Sequence, residues 1–105
     1  MADIIDFPKR PAEPEPLWRS VLGARLRRLR IAKGYSLTRT ARRAGISPQY
    51  LSEIERGLKE PSSEVVAAVA GALECTVLEV ASLAVADLRR TGARRPSGPV
   101  ALLAA

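Results

Sequence analysis

At 105 residues the chain suffices for one domain with a single core and is too short for two. It carries 17 Lys and Arg against 11 Asp and Glu, a net charge of +6, which points to an anionic partner such as nucleic acid or a membrane surface. A single cysteine excludes an internal disulfide or Cys-based zinc site, and the lack of histidine removes the commonest general base and metal ligand; no enzyme, metal or cofactor is expected.

Residues 1–16 contain Pro8, Pro11, Pro14 and Pro16 among alternating charges, which supports neither helix nor core and predicts a flexible arm. From Trp18, apolar residues return at Leu22, Leu26 and Leu29 until Gly34, predicting a helix over about 18–33 with Trp18 as a lid on its apolar face. Ser36 caps a second helix, about 37–44, with Leu37, Ala41 and Ala44 on one face and Gly45 as terminator. Ser47 followed by Pro48 opens a third, in which Leu51 and Ile54 turn inward and Gly57 ends the run. Ser62 caps a fourth, about 63–74, whose buried face draws on Val65, Val66, Val69, Ala70 and Leu73, with Cys75 as a small core residue beside it.

Thr76 and Glu79 form a capping box for a fifth helix that runs to Arg90. Its apolar content exceeds what one packed face requires. Dimerisation through Val77, Val80, Leu83, Ala84 and Leu88 is the preferred explanation, and a helix folded fully back on its own domain is the alternative. Residues 91–105 turn to Arg, Pro, Ser and Gly before a short apolar end, and a disordered tail is expected. The architecture is thus all-α, with an arm over 1–16, a five-helix domain over 17–90 whose dimerisation helix is about 77–90, and a tail over 91–105. The chain has no charged-then-apolar leader and no apolar stretch of about eighteen residues, so a cytoplasmic protein without membrane association is expected.

Two features bear on function. From Leu17 to Ser52 there is no acidic residue, yet the stretch carries arginines including Arg39, Arg42 and Arg43. A solvated helical face explains such a run as well as nucleic-acid binding does. The two short helices joined by Ala44-Gly45-Ile46-Ser47 also have the spacing of a helix-turn-helix, in which glycine permits the sharp turn. The second of them presents Gln49, Tyr50, Ser52, Glu53 and Arg56 away from the core, with Gln49, Ser52 and Glu53 near the end that enters a major groove.

Gly34-Tyr35-Ser36, Ala41 to Ser47, Leu51 to Gly57, Pro61-Ser62 and Ala70-Gly71-Ala72-Leu73 together resemble the lambda-repressor or Cro (Xre-type) five-helix domain over about residues 20–83. Within that family, Ser47 to Gly57 with Lys59 to Ser62 is most similar to the ClgR type of actinobacterial regulator and its relative PopR, activators of Clp protease genes. The resemblance implies double-stranded DNA as partner, base reading by Gln49, Ser52 and Glu53, and phosphate contacts from Ser47, Tyr50, Arg56 and Lys59. Where family members usually have a phosphate-touching glutamine at the start of helix 2, this chain has Leu37, and Arg39, Arg42 and Arg43 are left to supply the charge.

Glu53 has a second explanation, as a residue that only keeps the helix soluble. The resemblance further implies a mostly buried Arg30–Glu55 ion pair between helices 1 and 3. A homodimer on a pseudo-palindrome and a contact with RNA polymerase go with the same resemblance. So does a Leu103-Ala104-Ala105 terminus recognised by Clp protease, against which stands a plain alanine-rich end. Competing functions are a phage-type repressor or antitoxin of the same fold, and a protein-interaction module with an incidental basic face.

Overall fold

The computed structural model describes residues 17–92 and contains five helices: α1 Trp18–Lys33, α2 Leu37–Ala44, α3 Pro48–Glu55, α4 Ser63–Ala72 and α5 Val77–Gly92, with no strand among the described residues. The proline-rich arm over 1–16 and the apolar terminus with Leu103, Ala104 and Ala105 lie outside the described residues.

Each of α2 to α5 begins where a side-chain oxygen meets the free amides of a first helical turn. Ser36, Ser47 and Ser62 accept from the N–H groups of Arg39, Tyr50 and Val65 at 3.0, 3.0 and 3.1 Å. At α5, Thr76 Oγ1 accepts from the Glu79 N–H at 3.0 Å while Glu79 Oε1 accepts from the Thr76 N–H at 2.8 Å, the reciprocal box expected from the sequence.

Two boundaries differ from expectation. The fourth helix stops at Ala72 because Glu74 takes a left-handed φ of 62° and the Cys75 N–H reaches back to the Ala70 carbonyl at 2.8 Å, closing the turn before Thr76. At the other end, α5 runs through Gly92, two residues beyond Arg90.

α1 packs on α3 and α5, while α2 packs on α3 and α4. Leu22 and Leu26 of α1 meet Leu51 and Ile54 of α3, and the same core takes in Val69, Leu73, Val80 and Ala84. Trp18, the first residue of α1, is 37% exposed and lies one turn before Leu22. α1 approaches α3 closely at Gly23, where a Cβ would lie 2.0 Å from the Ile54 carbonyl oxygen. Only glycine permits that distance.

Asp87, on α5, is almost fully buried and faces α1. Arg25 grips it with two N–H groups at 2.8 and 2.7 Å, Arg28 adds a third at 2.9 Å, and Arg90 closes on the same carboxylate from within α5. Hydrogen bonds from Arg25 hold the Asp87 carboxyl below its ordinary range, against the opposing effect of burial.

Among the described residues no single helix is long and apolar enough to cross a membrane. α4 and α5 meet at a bend of 103°, and their most buried apolar residues face the common core.

Removing the Asp87 charge strands Arg25, whose side chain is only 18% exposed, while Arg28 and Arg90 stay half in water. Asp87→Asn is therefore expected to cost about 2–3 kcal/mol, below the full loss typical of a broken buried pair. Because the folded-state pKa is depressed, this stabilisation is present above the ordinary carboxyl value near 3.8 and is lost as pH falls through the lower folded value. Urea melts from pH 7 to pH 2 should show a steeper acid decline for wild type than for Asp87→Asn, and parallel curves would refute the assignment.

Candidate nucleic-acid interface

The link between α2 and α3 is short because Gly45, at φ 76° and ψ 25°, turns the chain in a conformation that other residues rarely adopt. The Ile46 N–H bonds back to the Ala41 carbonyl at 3.0 Å, and the Ile46 side chain packs against the core, which fixes the direction in which α3 leaves. Ser47 and Pro48 then start α3 at once.

Once started, α3 is held along one side only. Leu51 and Ile54 are fully buried, as the spacing predicted, and Glu55 joins them. Glu55 accepts two hydrogen bonds from Arg30, Nε to Oε2 at 2.7 Å and Nη2 to Oε1 at 3.0 Å. The remaining guanidinium edge donates to the Tyr35 carbonyl at 2.9 Å. One fork thus joins α1, the entry to α2 and the carboxyl end of α3. Its hydrogen bond to Glu55 raises the Arg30 pKa further above its already high ordinary value.

The residues singled out for base contact lie on the free side of α3 or beside it: Gln49 is exposed, and Ser52 and Glu53 are half-buried. Ser47, Arg56 and Lys59 are exposed, whereas Tyr50 is half-buried and packs partly on the core. Ser47 uses its oxygen as the cap acceptor, which leaves its O–H available as a donor. Arg39, Arg42 and Arg43 are all exposed on α2. Leu37 turns toward the core, so the first position of α2 offers packing in place of a polar contact.

Two features escaped the sequence reading. Tyr35 lies under two guanidinium groups, with Arg39 Cζ 5.8 Å and Arg43 Cζ 6.0 Å from its ring centroid. The Tyr35 hydroxyl donates to Glu74 Oε2 at 3.0 Å, and Lys33 Nζ lies 3.2 Å from Glu74 Oε1. Hydrogen bonds from Lys33 and then Tyr35 lower the Glu74 pKa. The signal in the sequence was an aromatic residue four and eight positions before two arginines, and it went unused. The other feature is the Asp87 cluster, marked only by a single aspartate in the apolar second half of α5.

The dimerisation set on α5 needs correction. Val80 and Ala84 are fully buried in the domain's own core and are unavailable to a second molecule. Val77 and Leu83 are exposed, but Leu83 lies across the helix from the most exposed apolar residue, Leu78, at 75%. Leu78, Ala81, Val85 and Leu88 recur at spacings of three, four and three, and so share one outward flank.

A helix-turn-helix family model matches residues 26–80. The transcriptional regulator ClgR of Mycobacterium tuberculosis is 48% identical over 58 residues, covering 55% of this chain and 52% of that protein. The HTH-type transcriptional regulator SinR of Bacillus subtilis is 40% identical over 58 residues, covering 54% of this chain and 52% of that protein. The chain therefore spans about half the length of the curated relatives it matches. Among solved structures, the clp gene regulator ClgR from Corynebacterium glutamicum superposes with a TM-score of 0.74 at 46% identity, covering 77% of this chain and 86% of that one.

Holding α3 and presenting its free side should separate cleanly in unfolding measurements. Glu55→Ala leaves Arg30 buried without its partner and is expected to cost about 3–5 kcal/mol. Gln49→Ala, at an exposed position, should stay within about 0.5 kcal/mol of wild type. Comparable losses from the two substitutions in urea denaturation followed by circular dichroism would refute this division.

Proposed function

The chain belongs to the helix-turn-helix family, in the Xre-type group that includes the ClgR regulators; on that premise we propose that it is a transcriptional regulator and not an enzyme, and that it binds a specific DNA site with the amino-terminal half of α3 in the major groove. The observation that carries this proposal is the free side of α3, presented after the Gly45 turn and flanked by the acid-free, arginine-bearing surface of α2. Gln49 can pair bidentately with adenine, Glu53 can accept from cytosine N4, and Ser52 suits either kind of edge. Arg39, Arg42, Arg43, Ser47, Tyr50, Arg56 and Lys59 serve as phosphate contacts that set register.

The target class follows from the relative described as a clp gene regulator, at 46% identity: promoters of Clp protease genes, with the protein acting as an activator that contacts RNA polymerase in the cytoplasm. The protein binds as a homodimer on a pseudo-palindrome, its seam formed by Leu78, Ala81, Val85 and Leu88 with Val77 at the margin. This seam replaces the set read from sequence. The Leu103-Ala104-Ala105 terminus serves as the mark by which Clp protease removes the regulator, which closes a feedback loop.

Binding of labelled duplexes from upstream of clp genes should be salt-dependent and far tighter than binding of random duplex. Gln49→Ala is expected to cost about 1–3 kcal/mol of affinity at one base position, and Arg42→Ala to lower the log-log salt slope by about one. Leu78→Asp should yield a monomer in sedimentation velocity and weaken operator binding with α3 intact. Equal affinity for random sequence would defeat specific recognition, and a dimeric Leu78→Asp protein would defeat the proposed seam.

Replacing Ala104 and Ala105 by Asp should lengthen the lifetime of the protein in cells after translation is blocked. An unchanged decay would remove the terminal signal from this account.

A further inference from the structure

We propose that Tyr35, anchored by Glu74, is a positioning residue that aligns Arg39 and Arg43 on α2 for DNA phosphate. This role presupposes the DNA binding proposed for α3.

Arg39 and Arg43 stand four residues apart and so share one side of α2, where two like charges repel and would ordinarily splay into solvent. Instead their guanidinium carbons lie 5.8 and 6.0 Å from the centroid of a single ring. The negative face of the ring attracts each cation and offsets their mutual repulsion.

The ring itself is well held. Tyr35 packs against the core between α1 and α2, its carbonyl accepts from the buried Arg30 fork, and its hydroxyl donates to Glu74. Glu74 occupies a left-handed φ of 62°, fixed by the closure between α4 and α5, and Lys33 holds its second oxygen. The carboxylate is thereby placed by backbone geometry and a second ion, and it in turn fixes the tyrosine.

Leu37 makes this arrangement consequential, because the first position of α2 packs inward and brings no polar group to a phosphate. The charge on α2 must then come from arginines, whose long side chains lose rotamer freedom when they bind. Two guanidinium groups ordered beforehand over one aromatic ring lose less.

The test uses the full chain and a duplex carrying its binding site in a double-mutant cycle read by fluorescence anisotropy. Tyr35→Leu should weaken binding about two- to fivefold, from loss of a surface cation–π contact. Tyr35→Phe, which keeps the ring and loses the Glu74 bond, should fall between wild type and Tyr35→Leu. The joint Arg39→Ala and Arg43→Ala change should cost less in the Tyr35→Leu background than in wild type, a coupling that loss of fold stability alone would not produce. Multiplicative costs, in a wild type that binds its site, would overturn the positioning role.

Should Tyr35→Leu fail to fold, proton NMR of the unbound wild type decides the matter. Upfield ring-current shifts of the Arg39 and Arg43 δ protons support the inference, and ordinary shifts overturn it. Wild type that binds no duplex at low salt would overturn DNA recognition itself, an outcome distinct from the loss of coupling.

Discussion

The close seating of α1 on the carboxyl end of α3 is the constraint from which the rest of this domain follows. Two contacts, about two helical turns apart on α1, define it: the bare backbone at Gly23 under the Ile54 carbonyl, and the Arg30 fork on Glu55. A helix of only eight residues has little stability of its own, so its direction must come from what it is packed against. With its carboxyl end clamped and Leu51 and Ile54 buried, α3 has one free region left, the side of its first turns that carries Gln49. Presentation of that region is thus a consequence of packing elsewhere.

The distribution of charge follows the same division. Glu55, Glu74 and Asp87 are each occupied by basic residues of α1, namely Arg30, Lys33, and Arg25 with Arg28. Those basic side chains are therefore spent within the domain. Arg39, Arg42 and Arg43 on α2 have no carboxylate partner among the described ion pairs and remain exposed, as do Arg56 and Lys59 beside α3. The acid-free stretch from Leu17 to Ser52 hence contains two kinds of arginine that look alike in sequence: ones tied to carboxylates of the domain, as Arg25, Arg28 and Arg30 on α1 are, and surface ones, as Arg27 on α1 and Arg39, Arg42 and Arg43 on α2 are.

What could be read from the sequence was local. Serine caps, the capping box and glycine terminators each depend on atoms within a few residues, and the helix starts followed from them. The buried faces of α3 and α4 followed from short spacings. Contacts between distant segments were less accessible. The Arg30–Glu55 pair came only through family resemblance, and the joining of Asp87 to Arg25 across 62 positions was missed. Within an apolar helix a lone aspartate could equally have pointed to solvent. The early stop of α4 was hidden for another reason, since Glu74 takes a conformation in which glycine is the usual signal.

For α5 the sequence revealed an excess of apolar surface without revealing its division. Hydrophobic residues on nearly every side of a helix leave its rotation about its own axis undetermined, and a polar residue facing the core decides it. Here that residue is Asp87: its bonds to α1 turn Val80 and Ala84 inward and leave the Leu78, Ala81, Val85 and Leu88 flank outward. The same aspartate therefore links two parts of the proposed function. It ties α5 to α1, and α1 grips α3, so a second molecule joined along the outward flank of α5 would have its α3 held through an equally rigid path. The spacing between two such α3 helices would then be set by packed elements alone, as reading of two half-sites requires.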